Sequence, residues 1–344
     1  MPKPVTMQDI ANQLGISKVA VSKALRGQHD ISRDTTEKVL SLAKQMGYRP
    51  NLLAKKLSAK KTQTIGLLVP KIAHHFLSQA IDSIYLSAND LDYEIVMMVS
   101  EENKDLERKH IETLLSMRVD GLLVSISEQT VDADIFHKVK ENGTPLVFFD
   151  RVLKGQGFPC IRSADEEGAE ALINFAVQKG YHQFGHIGGY QHVSIGKQRY
   201  QGFIKALRSH GLTPREEHIV FGGFSRKDGY EGLGILLERA ALPQIIFAVT
   251  YPVALGTMMR ADEAGLNIPA DLDLVCFGSS NYNQFIKPSI TGIKQPAKEI
   301  GKLALEQLIK MIDNPDLESF EDIVIPVEIN TADTCISITG KTLR

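Results

Sequence analysis

The sequence predicts an all-α head of about fifty residues that carries a helix-turn-helix. A short linker joins it to an α/β core of two doubly wound, parallel-sheet subdomains. Three observations lead there. First, charge divides sharply along the chain. Residues 1–62 hold twelve Lys/Arg against four Asp/Glu, a formal +8, while the remainder holds 27 against 37, a formal −10. A basic head on an acidic body reads as a polyanion-binding module attached to something with another task. Second, the head contains three short amphipathic stretches separated by glycine-containing turns. Third, from Thr64 onward short apolar runs alternate with helical stretches, the mark of parallel sheets with helices on both faces.

Composition bounds the rest. A chain of 344 residues, 43% apolar and 23% charged, has length for two or three domains and is neither disordered nor collagen-like. No run approaches the ~20 apolar residues of a membrane helix. No apolar segment follows Met1-Pro2-Lys3-Pro4-Val5-Thr6, so no secretory signal is expected. Cys160, Cys276 and Cys335 are odd in number and widely spaced, which fits a reducing cytoplasm and neither a disulfide framework nor a zinc site.

In the head, Thr6 followed by Asp9 reads as a capped helix start, with Ile10, Ala11 and Leu14 on one face and Gly15 as the stop. Ser17 caps a second helix running to about Arg26. Ser32 caps a third, with Val39, Leu42, Ala43 and Met46 at helical spacing before Gly47. This is the helix-turn-helix plan. Val21, Ala24 and Leu25 form the buried side of the second helix, and Lys18, Val19, Ser22, Lys23 and Arg26 the opposite side. In such a unit this helix enters the DNA major groove. Lys18 and Lys23 can then donate to guanine, Val19 can meet a thymine methyl, and Ser17 and Ser22 are short donors for phosphate. A three-helix bundle with a solvated lysine face is the plainer alternative.

After Arg49-Pro50 a nine-residue stretch from Asn51 through Ala54, Lys55 and Leu57 reads as helical, although it is too short to be stable alone, and Lys55, Lys56, Lys60 and Lys61 repel one another. Order is therefore expected only against DNA and a second copy. A plain basic linker is the alternative.

In the core, strands are predicted at 65–69, 94–99, 121–126, 146–149, 184–187, 219–221, 245–249 and 274–277. Helices are predicted at 107–117, 169–178, 199–209 and 251–264. The pattern restarts near Glu166, so two halves with a cleft between them are expected, and a ligand at the carboxyl ends of the strands. No enzymatic constellation is present. Gly340-Lys341-Thr342 lacks the upstream glycine of a phosphate loop, Gly185-His186-Ile187-Gly188-Gly189 is not a dinucleotide fingerprint, and neither GxSxG nor HExxH occurs. His74-His75 and His182/His186 lack acidic partners at ligand spacing, so no metal site and no cofactor is expected.

The run TMQDIANQLGISKVAVSKALRG, continuing through ISRDTTEKVLSLAKQMGYRPNLLAKKLSAKKTQTIGLLVP, resembles the lactose-repressor/galactose-repressor family of bacterial transcription regulators. The resemblance is close in the head and extends to the remainder at the level of landmarks. It implies a homodimer on a near-palindromic operator, most often a repressor of a carbohydrate-utilisation operon, and a core similar to type I periplasmic sugar-binding proteins that binds a small effector, a sugar or sugar acid. It implies that Thr6 joins the contacts to DNA and that paired hinge helices enter the minor groove, with Leu57 as the wedge. It further implies three crossings between the halves, near 162–165, 289–294 and 325–328. The expected domains are 1–50, a hinge at 51–62, and a core at 63–344. The core divides into one lobe of about 63–163 plus 293–326 and another of about 164–292 plus 327–344.

For the effector, Asp150, closing the run VFFD, and Arg199, in RYQGF, match the family's polar anchors, and Phe76 and Phe224 its aromatic faces. An arginine fork opposite a carboxylate suits a polyol or an acid sugar. The chain also departs from the family pattern. Lys23 stands where arginine is commoner, Thr250-Tyr251-Pro252 where Asn-Asp is usual, and Gly278-Ser279-Ser280 where Asp is usual. Tyr251 and Ser279 then take those places in the pocket. The departures keep open a ligand-independent DNA binder with a degenerate pocket. A transport-type binding protein is opposed by the basic head.

Overall fold

The computed structural model describes residues 5–25, 27–28, 30–48, 61–153, 155–239, 242–316 and 320–337. The expectations for Arg26, Asn51, Ala54, Lys55 and Leu57 lie outside these residues. Contacts divide the chain into two units, Met1–Thr62 and Gln63–Arg344.

The first unit contains α1 (Met7–Leu14), α2 (Lys18–Leu25) and α3 (Arg33–Gln45). Its small core is Ile10, Ala11, Val21, Ala24, Val39 and Ala43, ringed by Met7, Leu14, Ile16, Leu25, Ile31, Leu42, Met46 and Tyr48. Each helix start follows from a local device. The Thr6 and Asp9 pair closes a capping box, with the Thr6 N–H donating to Asp9 Oδ2 at 2.8 Å and the Asp9 N–H to Thr6 Oγ1 at 3.3 Å. Ser17 Oγ accepts from the Ala20 N–H at 3.1 Å, and Ser32 Oγ from the Thr35 N–H at 3.2 Å. Gly15 ends α1 at φ +64°, a left-handed turn that glycine adopts without steric cost.

The second unit holds two six-stranded sheets. The first is built from β1 (Thr64–Val69), β2 (Glu94–Val99), β3 (Gly121–Val124), β4 (Leu146–Phe149), β5 (Cys160–Ser163) and β11 (Ile323–Ile325), in the order β11-β5-β4-β3-β1-β2. The second is built from β6 (Phe184–Gly188), β7 (Ile219–Phe221), β8 (Ile245–Ala248), β9 (Asp273–Phe277), β10 (Thr291–Lys294) and β12 (Glu328–Asn330), in the order β12-β10-β9-β8-β6-β7. All pairings are parallel except β10 with β12. The central strands β1, β3, β4, β8 and β9 are buried along their whole length. That explains why they read as continuous apolar runs and not as alternation.

The first sheet is covered by α4 (His75–Asp90), α5 (Lys104–Ser116), α6 (Asp134–Glu141) and α11 (Ala297–Asp313). The second is covered by α7 (Asp165–Gln178), α8 (Ser194–Ser209), α9 (Arg226–Arg239) and α10 (Tyr251–Glu263). Helix α11 packs on α4 and on the first sheet, although β10, immediately before it, belongs to the second. The middle crossing therefore falls after Lys294, later than the expected 289–294, and residues 293–294 belong to the second lobe. The reason is that Ile293 is fully buried in the second sheet's core and paired with Phe277, so the chain cannot leave before it. The other two changes of sheet fall between β5 and α7 and between β11 and β12.

Candidate functional site

Two constellations carry the chemistry, one in each unit. In the head, α2 turns Val21 and Ala24 inward and leaves Lys18 and Val19 outward, Val19 at 63% exposure. A valine that exposed on a helix with a well-formed core is free to make an apolar contact elsewhere. Ser17 spends its oxygen on capping but keeps its hydroxyl proton available for a phosphate. Thr6 does not, because its hydroxyl donates to Asp9 Oδ2 at 2.7 Å. Ser22 is half-buried on the same helix. Lys23 is ion-paired with Asp30 and half-buried, so its ammonium is already partly neutralised.

In the core, a cavity of about 410 Å³ opens between the lobes at the carboxyl ends of the strands. It brings together all six residues singled out in the sequence for an effector: Phe76, Asp150, Arg199, Phe224, Tyr251 and Ser279. Asp150 directly follows β4 and adopts φ +59°, a left-handed conformation that costs on the order of 1 kcal/mol in most residues and is best tolerated by Asn and Asp. That turn places its buried carboxylate on the cavity wall, where it makes no hydrogen bond among the described residues. Desolvation pushes its pKa up to about 6, against the opposing pull of Arg151 and Arg199, with Asp165 and Glu102 adding to the rise.

Arg199 does not open its helix, as the sequence reading held. Helix α8 begins at Ser194, so Arg199 lies in its second turn. It is 2% exposed and heavily engaged: Nε and Nη2 each lie 2.8 Å from Asp165 Oδ1, Nη1 donates to the Val249 carbonyl at 2.9 Å, and the guanidinium sits 3.9 Å over the Phe277 ring. Of its five N–H groups two remain for a ligand. The partner, Asp165, escaped the sequence reading because it lies 34 residues away and only the packing of α7 on α8 brings it close.

Arg151 was also missed. Its Nη1 donates to both Glu102 oxygens, at 2.9 and 2.8 Å, its Nε is buried without a partner, and its guanidinium lies 4.8 Å over Phe224. The adjacency Asp150-Arg151 at the end of an apolar strand was the available signal. Phe224 is seated because Gly189 leaves room: a Cβ there would lie 2.0 Å from the ring. Where the usual Asn-Asp is absent, Thr250 caps α10, its Oγ1 accepting from the Val253 N–H at 3.3 Å and donating to the Phe224 carbonyl at 3.0 Å. Tyr251 spends its hydroxyl on Asn283 Oδ1 at 3.2 Å and offers the cavity mainly its ring. The departure from the family pattern thus exchanges ligand-facing polar groups for structural ones. His74, at the start of α4, also lines the cavity, and burial together with Arg151 lowers its pKa, which keeps it neutral.

The lobes touch beside the cavity. The Val152 N–H donates to Ser194 Oγ at 3.1 Å, Arg162 Nη1 to Gln198 Oε1 at 2.7 Å, and His192 Nε2 to the Glu128 carbonyl at 2.6 Å. A cleft walled by two lobes and bridged this way suits a ligand whose binding changes their relative closure.

A helix-turn-helix unit and a two-lobed, ligand-sized cleft on one chain define a DNA-binding regulator with a small-molecule domain. The comparisons agree. Residues 62–333 match the family of periplasmic binding proteins and the sugar-binding domain of the LacI family, and residues 6–51 match the bacterial regulatory proteins of the lacI family. The chain belongs to the LacI family of bacterial transcription regulators. Catabolite control protein A of Priestia megaterium is 28% identical over 92% of this chain and 95% of its own length. The probable HTH-type transcriptional repressor ExuR of Bacillus subtilis is 27% identical over 92% and 94%, and the repressor PurR of Actinobacillus pleuropneumoniae 27% over 89% and 91%. Among solved structures, the lac repressor dimer bound to operator and the anti-inducer ONPF matches with a TM-score of 0.85, at 23% identity over 97% of this chain and all of that one. These relatives are regulators of transcription.

Proposed function

We propose that this protein is a cytoplasmic, homodimeric repressor that binds a near-palindromic operator and is released or retained by a sugar-class effector in the cleft, acting on a carbohydrate-utilisation operon. The observation that carries the effector half is the convergence of Phe76, Asp150, Arg199, Phe224, Tyr251 and Ser279 on one cavity between two lobes. The cavity's size falls within the usual range of small-molecule sites, which disfavours a degenerate pocket and a ligand-independent regulator. The match to a sugar-binding domain supports the ligand class. For the DNA half, the outward Lys18 and Val19 of α2 support major-groove reading, and the hydroxyl of Ser17 supports a phosphate contact beside it. The charge of the head supports phosphate contact through Lys23, Arg26 and Lys55, beside the short hydroxyl of Ser22, with Asn51, Ala54 and Leu57 completing the hinge contact. The proposed domains are the head at 1–50, the hinge at 51–62 and the core beyond.

Selecting bound sequences from a random duplex pool tests the DNA half. Enrichment of an inverted repeat supports a symmetric dimer, whereas enrichment of a single half-site overturns it. Titrating sugars into the protein–operator complex tests the effector half. A change in operator affinity with one sugar supports it, and indifference to every sugar up to tens of millimolar overturns it.

A further inference from the structure

The cleft holds two arginines, and an arginine fork opposite a carboxylate left a polyol and an acid sugar both open. The charges in the cleft are distributed between the wall and the chamber. Arg199 is neutralised within the wall by Asp165, with which it is buried to 2% and 1% side-chain exposure, and its remaining contacts are a carbonyl and the face of Phe277. Arg151 is neutralised by both oxygens of Glu102 at 3% and 12% exposure. Each arginine thus has its own carboxylate before any ligand arrives. Asp150 has none: it is buried, lines the cavity, makes no hydrogen bond among the described residues, and is fixed by the left-handed backbone at its own position. The other polar side chains of the chamber are hydroxyls, the Gln295 amide and two histidines, His74 and His75, whose pKa values burial lowers. Lys294 lies in the adjoining recess of about 270 Å³, beyond Gln295, and does not line the chamber that contains Asp150.

We propose that the chamber selects non-acidic polyhydroxyl ligands, neutral or carrying an amine, whose donors satisfy Asp150, and that it rejects ligands bearing a carboxylate or phosphate there. The proposal rests on the reading of the cleft as the effector site and narrows its ligand class. A buried carboxylate without a hydrogen-bond donor of its own favours a donating ligand and disfavours an anion, and a low-dielectric wall strengthens both effects. The spare N–H groups of Arg199 and the unpartnered Nε of Arg151 complete the match, because a hydroxyl donates to Asp150 and still accepts from an arginine. The rings of Phe76 and Tyr251 cover the apolar faces of a pyranose ring, while Phe277 and Phe224 lie beneath the guanidiniums of Arg199 and Arg151. An acid in the same place would bring a second anion beside Asp150, with both arginines already engaged.

Ligand-observed saturation-transfer NMR on the full-length protein tests this with methyl glucoside, glucosamine and glucuronate, and with the corresponding galactose series. The expected result is transfer to the neutral and amino members of one series, with its uronate at least tenfold weaker. In Asp150→Asn that discrimination shrinks to within about threefold. In Asp165→Asn, which frees the Arg199 charge, or Glu102→Gln, which frees Arg151, uronate binding rises. A uronate that binds the wild type as tightly as its neutral counterpart, held for instance by Lys294 from the adjoining recess, overturns the proposal and leaves the effector site standing. Silence from all six sugars overturns the sugar reading of the cleft and this proposal with it.

Discussion

Asp150 is where a single residue carries most consequence. Its folded-state pKa, about 6, lies above the ordinary carboxylate value of 3.8, so the native protein binds a proton there more readily than the unfolded chain does. The associated stability is present at acid pH and is lost as pH rises from about 4 through 6. Above that range the ionised group is a net cost of roughly 3 kcal/mol, set against the charges of Arg151, Arg199, Asp165 and Glu102 that face it. Asp150→Asn should therefore raise the melting temperature of the ligand-free protein at pH 7.5 and leave it nearly unchanged at pH 4. Scanning calorimetry at the two pH values checks the sign. A ligand that donates to the ionised carboxylate should bind more tightly as pH rises through the same window.

Arg199 calls for a different expectation from the one its position in the sequence invites. A freely presented fork could be removed with loss of the ligand response alone. The observed side chain is half of a buried ion pair, and removing one partner of such a pair costs about 3–5 kcal/mol because the other is left charged in a dry site. Arg199→Ala should lose stability of that order, whereas Arg199→Met combined with Asp165→Leu should recover much of it. Urea denaturation of the single and double variants measures the coupling. Equal losses in both would place the cost in packing and not in the orphaned charge.

At the level of elements, α2 and the hinge should separate reading from holding. Replacing Lys18 or Val19 should change which half-site is preferred, because both stand on the outward face near the start of α2. Replacing Lys55 should weaken all sequences about equally. Competition binding against a panel of half-site variants distinguishes the two patterns, and identical sequence-independent losses would mean that α2 does not read bases. Leu57→Ala should leave the head folded and non-specific binding intact while reducing both specific affinity and operator bending, since a wedge acts only on the kinked complex. A fluorescence-transfer measurement of the bend angle decides, and an undiminished bend would leave 51–62 as a basic linker.

For the whole molecule, a head of +8 on a body of −10 has a measurable signature. Each phosphate it neutralises releases condensed counterions, so the logarithm of operator affinity should fall steeply and linearly with the logarithm of salt. A flat plot between low and moderate salt would contradict DNA binding. Effector control has a matching limit. A ligand shifts operator affinity only by its preference between conformations of the core, which the contacts of Val152 with Ser194, of Arg162 with Gln198 and of His192 with Glu128 help to define.

The sequence by itself determined what depends on local chemistry and repeating pattern. The caps at Thr6, Ser17 and Ser32, the glycine stop at Gly15 and the inward Val21 and Ala24 are properties of neighbours a few residues apart. The buried strands announced themselves as apolar runs, and the family resemblance assigned Asp150, Tyr251 and Ser279 to the cleft that they line. Helices α4, α6, α9 and α11 and the short strands β5, β10, β11 and β12 went unread; β5, β10 and β12 interrupt their few apolar residues with polar ones such as Arg162, Lys294 and Glu328, so no apolar run marks them. Only the tertiary structure decided the electrostatics. Asp165 reaches Arg199 across 34 residues and Glu102 reaches Arg151 across 49, pairings that no local pattern encodes. Charge is additive along a sequence, but its effect depends on separation and burial. Arg199, read from the sequence as an open fork, and Arg151, unread there, are both ion-paired within the wall, and the Asp150 carboxylate is left facing the ligand.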